Sequence, residues 1–570
     1  MDKELNLDPK HWKYDIGTYI CAQLKRLNIS HTFGVAGNYI IGFLNYIIEN
    51  NISFISTCNE LNAGYAADSY ARIRGISCLV TTYNVGELSA LNAVAGAYAE
   101  KIPMIIIAGT PSISDRNKLL LKHHTIGGDY DTSLKIFRNC TVATELIVSA
   151  EQAQKQIDIS IEKCLKYSRP IYIAIPFGME KTNFTNSLES KYYLPAFKEN
   201  EQEVDLVVDQ TVKIIQNAIN PIIIVGADAH RYKLQSKLES FIEETNLPFS
   251  TMVMSKAIIN EEHPNFVGIY LGASSKKIVK EQIENSDCLI CFGVELTDIN
   301  LDRYSANLKY SNMILAINNK VIIKGSCHDN ISLNSFINRL FTILVLKESY
   351  KKLTPIIKSS VCFRQSINEK NIITNEMFFN KLSSLLHKDD ILISDTGSAI
   401  FSVRHLQLPK NSIFIAQPYY ASIGYSIGAA LGAAIATTNK RIFVIVGDGA
   451  FQAACQELSS IFKYGLKVIF FLLNNNGYTI ERLIHDSSYN DIFPWKYHRL
   501  PEILGDGKGY EVHTNEELEQ AINDSILHPK SSLIEIHLEK FDCSIDLLSN
   551  YEKTFPLGIN YEANPAENII

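Results

Sequence analysis

Apolar residues in this chain fall into short β-branched runs separated by stretches of helical spacing. Ile16, Tyr19, Ile20, Leu24 and Leu27 recur at intervals of three and four, which predicts an amphipathic helix over residues 12–30. His31 to Val35 then reads as a strand, Tyr39 to Glu49 as a helix and Ile52 to Thr57 as a strand. Leu79 to Thr82 is a further strand, followed by a turn at Gly86 and a small-residue helix to Glu100; Met104 to Ala108 and Pro170 to Pro176 are strands again. A second block repeats the pattern at Ile222–Val225, Cys288–Phe292 and Ile314–Ile317, and a third at Ile391–Asp395, Arg441–Val446 and Leu466–Leu473, with a helix expected from Ala450 to Tyr464. Alternation of this kind is that of doubly wound parallel sheets. Polar, irregular stretches near 183–204 and 347–370 read as linkers. The expected fold is therefore α/β, with three doubly wound parallel-sheet domains at 1–184, 185–350 and 351–570.

Composition narrows the function classes. A chain of 570 residues is too long for one core and requires several domains. A net charge of −7, from 61 acidic and 54 basic residues, argues against nucleic acid or an anionic membrane as partner. No apolar run is long enough to span a bilayer, and the charged start Met1-Asp-Lys-Glu lacks a signal core, so a cytoplasmic protein is expected. Eleven cysteines are scattered without a disulfide pattern. Cys288 and Cys291 lie three apart in a predicted strand, which points their thiols to opposite faces and favours packing over metal or redox work.

The chemistry concentrates between Arg441 and Glu481. A strand runs into Gly447-Asp448-Gly449, a helix follows, and a second strand ends at Asn474-Asn475-Asn476-Gly477. Ligands in parallel sheets sit where strands end and helices begin. Asp448 offers a carboxylate and Asn475 a carboxamide oxygen, hard donors suited to Mg²⁺ shared with a diphosphate. Gly447 and Gly449 let the backbone approach phosphate oxygens at a helix N-terminus. A second Gly-Asp-Gly at 505–507 has neither the strand nor the Asn pair, and reads as a surface turn.

That constellation resembles the diphosphate-binding motif of thiamine-diphosphate (ThDP) enzymes, and Asn475-Asn-Gly-Tyr-Thr-Ile-Glu-Arg-Leu-Ile-His485 is similar to the pyruvate and indolepyruvate decarboxylase family. The resemblance implies a pyrimidine-binding, a middle and a diphosphate-binding domain, in chain order. It implies that Asp448, Asn475 and the carbonyl of Gly477 hold Mg²⁺, and that Gly447, Gly449, Ala450, Tyr478, Thr479 and Ile480 line the cofactor. Thr396, Ser398 and Ser422 would contact it, and Ile423 would prop it into a bent shape. Glu481 would point into the active centre. Glu60, in Cys58-Asn-Glu-Leu-Asn-Ala-Gly-Tyr-Ala-Ala-Asp68, matches the glutamate that hydrogen-bonds the aminopyrimidine ring, although a carboxylate at a helix start also complements the helix dipole. His123 and His124 match the family's active-centre pair. The residues 541–570 would form a lid, with Leu547, Leu548 and Tyr551 as anchors. No dinucleotide fingerprint marks the middle block, so no FAD is expected. The implied assembly is a homodimer at least, and often a homotetramer, with each cofactor enclosed by two subunits.

One position departs from the family. An aspartate is expected after the glycine of the first turn, and here it is Asn38. A carboxamide cannot donate an acid proton. Protonation of the carbon left after CO₂ loss should weaken, which favours its attack on a second carbonyl, such as an aldehyde, giving an α-hydroxy ketone (acyloin). The alternatives are a plain decarboxylase that releases aldehyde, an acetolactate-synthase-like ligase, and a non-catalytic ThDP-binding protein. Ile400 stands where the family often has a small pocket-lining residue.

Overall fold

The computed structural model describes residues 15–184, 199–346, 372–404, 406–544 and 547. Three sheets stack helices on both faces. The first contains β1 (His31–Gly34), β2 (Ser53–Ser56), β3 (Ser77–Thr81), β4 (Met104–Thr110), β5 (Thr144–Leu146) and β6 (Ile171–Pro176), in the order β2-β1-β3-β4-β6-β5, all parallel. The third contains β14 (Ile391–Ser394), β15 (Ile413–Ile415), β16 (Ile442–Gly447), β17 (Ile469–Asn474), β18 (Lys508–Val512) and β19 (Ser532–His537), in the order β15-β14-β16-β17-β19-β18, also all parallel. The two orders match strand for strand, so each has its switch between strands at the same place.

Between them lie β7 (Pro221–Val225), β8 (Phe249–Thr251), β9 (Phe266–Ile269), β10 (Cys288–Phe292), β11 (Met313–Ile317), β12 (Lys320–Ile323) and β13 (Ser326–Asp329), ordered β13-β12-β11-β10-β7-β8-β9. The sequence pattern predicted a wholly parallel sheet here, but β12 and β13 are antiparallel. Lys324 and Gly325 join them with φ of 50° and 89°, the left-handed pair that a two-residue hairpin needs. The central strands are apolar throughout because helices cover both faces. Cys288 packs in the core on one face of this sheet and Cys291 in the core on the other, as their spacing requires.

One core runs through the first and third units. It is built on the helix Glu60–Arg74 crossing the helix Tyr425–Ala436. The crossing depends on glycine. A Cβ at Gly432 would lie 1.9 Å from the Ala66 carbonyl oxygen, and one at Gly428 would lie 2.7 Å from Tyr65. Ile400 is 4% exposed and packs with Val253, Leu271 and Ala416, so its bulk fills a junction between the second and third units.

Several boundaries differ from expectation. The helix predicted from Ala450 to Tyr464 is Asp448–Ala454, a 3₁₀ turn at Cys455–Glu457, and Leu458–Lys463. The expected linker at 183–204 already contains the start of the helix Glu201–Asn217, capped by the Asn200 side chain. The stretch 347–370 lies outside the described residues, as do Leu548 and Tyr551; Leu547 is buried. No helix among the described residues is long and apolar enough to cross a membrane.

Candidate active site

Two groups of predicted residues gather at carboxyl ends of strands. The first forms above β1, β2 and β3. Asn59 caps the helix Glu60–Arg74 by accepting from the Asn62 N–H, which places Glu60 in its first turn. Gly86 opens space beside it: a Cβ there would meet the Glu60 carboxylate at 2.9 Å and Thr82 at 3.2 Å. Gly37 packs on the other side of Thr82, where a Cβ would meet the threonine Cβ at 2.4 Å. The next residue is Asn38, exposed, with its amide nitrogen 2.9 Å from His123 Nε2. The Tyr39 hydroxyl lies 3.3 Å from His123 Nδ1, and the two rings stack at 4.9 Å. The His123 and His124 rings meet edge to face at 4.6 Å. Burial and the neighbouring His123 hold His124 below the usual imidazole pKa. Asn38, Glu60, His123 and His124 thus share one strand-end basin.

This basin is held by residues that sequence reasoning missed. Asn84 and His124 both adopt left-handed backbone, with φ of 50° and 70°. Asn84 Nδ2 donates to the His124 carbonyl oxygen at 2.6 Å, which fixes the histidine loop against the helix Val85–Ala99. Glu87 accepts from the Asn84 N–H at 3.1 Å and from the Tyr172 hydroxyl at 3.0 Å. It is fully buried, and burial pushes its carboxyl up to about 7. Non-glycine residues in that backbone region cost energy and cluster where function holds them. No local sequence signal marks Asn84 beyond its place before a turn. Glu87 shows only as a charge in a small-residue helix.

The second group forms above β14, β16 and β17. Asp448 is 1% exposed; its Oδ1 accepts from Gly449 N–H at 2.8 Å and its Oδ2 from Gly477 N–H at 3.0 Å. Burial raises its pKa to about 6 despite these donors. Asn475 is buried and spends its amide nitrogen on Thr479 Oγ1, which leaves the amide oxygen as its free donor face. Arg482, 1% exposed, grips the turn: Nη1 donates to the Asn475 carbonyl at 2.9 Å and Nη2 to Asp491 at 2.7 Å. Tyr478 packs so closely on Gly449 that a Cβ there would lie 2.4 Å from its ring. By contrast, a Cβ at Gly447 or at Gly397 would project into open space. Asp395, buried, accepts from Thr396, Gly424 and Ser426 N–H groups at 3.0, 3.1 and 2.9 Å, and so brings the Ser422–Ile423 loop beside Thr396 and Ser398. Ser422 Oγ is also bonded by Asn92 at 2.9 Å, and Ile423 is 43% exposed. Ala450 is buried, Ile480 half-buried and Glu481 exposed.

A buried carboxylate, a carboxamide oxygen and glycines opening on free space form a hard-oxygen donor set, which fits a small hard cation with a diphosphate. Among the described residues, no hydrogen bond or ion pair joins Asn38, Glu60, His123 or His124 to Asp448, Asn475 or Glu481. Exposed apolar side chains lie close in the chain to both groups: Leu119, Leu121 and Ile126 flank His123 and His124, and Ile484, Tyr489 and Phe493 follow Glu481. The other Gly-Asp-Gly lies against Phe462, whose ring sits where a Cβ on Gly505 or Gly507 would go, and its Asp506 pairs with Lys530 at the surface.

Residues 14–133 match the family described as thiamine pyrophosphate enzyme, N-terminal TPP binding domain. Residues 208–331 match its central domain and 395–536 its C-terminal TPP binding domain. Similar proteins include pyruvate decarboxylase isozyme 3 of Saccharomyces cerevisiae, 34% identical over 95% of this chain and 98% of the relative. The pyruvate decarboxylases of Candida albicans and Aspergillus terreus are each 34% identical over 94% of this chain, covering 97% and 96% of their own lengths.

Proposed function

Because this chain belongs to the family of thiamine-diphosphate-dependent 2-oxo acid decarboxylases, we propose that it joins decarboxylation to carboligation, passing the carbon fragment left after CO₂ loss to an aldehyde acceptor. The names of its relatives make pyruvate the first 2-oxo acid to test. Bound ThDP supplies a nucleophilic ring carbon and an electron sink. On this reading residues 1–184 hold its pyrimidine ring, 351–570 its diphosphate, and 185–350 join them. Asp448, Asn475 and the Gly477 carbonyl hold Mg²⁺ and, through it, the diphosphate. Thr396, Ser398, Ser422, Gly447, Gly449, Ala450, Tyr478, Thr479 and Ile480 line the cofactor, and Ile423 supports its bend. The Glu60 carboxylate shares a proton with a ring nitrogen, which a half-buried carboxylate at a helix start can do. Glu481 faces the substrate.

The observation that carries the carboligation reading is the Asn38–His123 contact of 2.9 Å. The amide N–H donates to Nε2, so the His123 proton sits on Nδ1, towards Tyr39. An acid at position 38 would hold the opposite tautomer and could itself deliver a proton. With Asn38 unable to donate an acid proton, and with burial and His123 disfavouring the charged form of His124, proton delivery in this basin is weak. A fragment that is slow to be protonated survives to meet an acceptor. Retention of His123, His124 and Glu481 favours the second reading, a decarboxylase that releases aldehyde.

The test is product analysis with pyruvate, with and without added aldehyde, for the natural chain and for Asn38→Asp. Acyloin as a major product, falling relative to aldehyde in the variant, supports the proposal. Free aldehyde as essentially the sole product of both would refute it. The exposed apolar side chains near both groups in the chain support a homodimer as the minimum unit, with a tetramer as the larger form. A cytoplasmic location fits the chain's composition.

A further inference from the structure

We infer that Glu511, His513 and His537 form a binding site for a borderline divalent cation of the zinc type, separate from the Asp448 site. The residues sit at the carboxyl ends of the edge strand β18 and its neighbour β19, and their ligand atoms all lie within 4.8 Å of one another. His537 Nε2 is 3.2 Å and His513 Nε2 3.8 Å from the same Glu511 oxygen. Tetrahedral zinc with bonds near 2.0–2.1 Å separates its ligands by about 3.3 Å, close to the shorter of these spacings.

The two imidazoles stack in parallel, 4.1 Å apart with 12° between planes. Their in-plane Nε2 lone pairs therefore run side by side, and the exposed His513 ring must turn for both to converge on one ion. Position is imposed by the fold. His513 precedes the helix Asn515–Leu527, and its N–H is held at 2.7 Å by Glu517, part of that helix's capping box with Thr514. His537 ends β19 opposite Asn474.

Two carboxylates meet here, and His537 Nε2 lies 3.5 Å from Glu535 as well. Glu511 and Glu535 are directly paired across β18 and β19. Like charges so placed destabilise a sheet. Glu535 is 1% exposed and is already engaged by Asn474 Nδ2 at 2.7 Å and His498 Nδ1 at 2.7 Å. His498 turns its Nε2 towards Glu511 at 3.7 Å. The buried carboxylate thus orients an imidazole behind the ligands, as second partners do at metal sites. Two imidazoles and one carboxylate, with a fourth position open to solvent, are the donor set of zinc rather than of magnesium.

The test uses the full-length protein saturated with ThDP and Mg²⁺, so that the Asp448 site is filled. Zinc is added, excess is removed against a weak chelator, and retained metal is counted by mass spectrometry. The expected result is about one zinc per chain, lost in His513→Ala and in the His513→Ala/His537→Gln double variant, with decarboxylation unchanged. Since a substitution can disturb these strands, Co²⁺ is added to the unaltered chain as a second measurement; a tetrahedral visible spectrum is expected. A natural chain that retains no more zinc than the double variant, or that gives Co²⁺ only an octahedral spectrum, overturns the site and leaves a cluster of ion pairs.

Discussion

Glu60 and Glu87 are both carboxyl groups near one basin, yet their surroundings differ sharply. Glu60 is half-buried beside Gly86, and open to a partner. Replacing it with glutamine should lower kcat by roughly 10²–10⁴, while ThDP still binds in a calorimetric titration. Glu87 is sealed in, with its carboxyl at about 7 against an ordinary 4.5. A folded-state pKa raised above the unfolded value means that the folded protein binds the extra proton. Stability from this group is therefore full below about pH 4.5 and declines as pH rises to about 7, by roughly 3 kcal/mol in all. The melting temperature of Glu87→Gln should show a smaller loss over that window than the natural chain's. Only part of this basin was legible in the sequence. Asn38, Glu60 and the histidine pair stood out because they sit in recognisable segments. Asn84, Tyr39 and Glu87 did not, because their roles come from hydrogen bonds across 40 to 85 positions of chain.

At the scale of elements, strands were read well because covering helices force them to be apolar from end to end, as in β16 and β17. Helix limits and the antiparallel hairpin were read less well. The break at Cys455–Glu457 follows from tertiary contacts: Glu457 Oε2 accepts from Cys58 N–H at 3.1 Å, and the Gln456 carbonyl accepts from the Cys58 thiol. The tight turn after β17 has its own dependence. Its carbonyls at Asn475 and Asn476 are held by Arg482, a residue that sequence shows only as one charge in a short helix. Arg482→Ala would leave the Asn475 and Asn476 carbonyls without their donor, at about 1–3 kcal/mol each, while the exposed Asp491 keeps Lys540 at 3.6 Å. It should also raise the Mg²⁺ concentration needed for half-maximal activity by about 10–100-fold. A thermal melt and a Mg²⁺ titration of metal-depleted protein measure the two effects. The helix crossing gives a simpler case. At Gly432 a methyl group would overlap backbone rather than a movable side chain, so Gly432→Ala should destabilise the junction of the first and third units by a few kcal/mol, with the midpoint in urea as the readout.

At the scale of the whole molecule, the three units are held together by buried charge. Asp68 accepts from Arg72 Nε and from the Tyr425 hydroxyl, each at 2.6 Å. Glu100 accepts from the Tyr419 N–H at 2.9 Å and lies 4.0 Å from Arg231. Lys101 pairs with Asp228 at 2.7 Å, and Lys256, itself paired with Glu261, donates to the Leu406 carbonyl at 2.6 Å. First, second and third units each contribute, so the mutual angle of the sheets is specified by pairs that are costly to separate. A frame of this kind presents the strand-end groups of Glu60 and Asp448 as fixed surfaces. Whether each is completed by its own chain or by a second copy is decided by mixing. Glu60→Gln and Asp448→Asn should each be inactive as pure preparations. If two subunits enclose each cofactor, dissociating and reassociating an equal mixture makes half of the dimers hybrid. In each hybrid one site has both defects and the other has none, so about a quarter of the natural activity should return. Full inactivity after verified exchange of subunits would place both groups of one site in a single chain, and the exposed apolar side chains at Leu121 and Phe493 would then need another explanation.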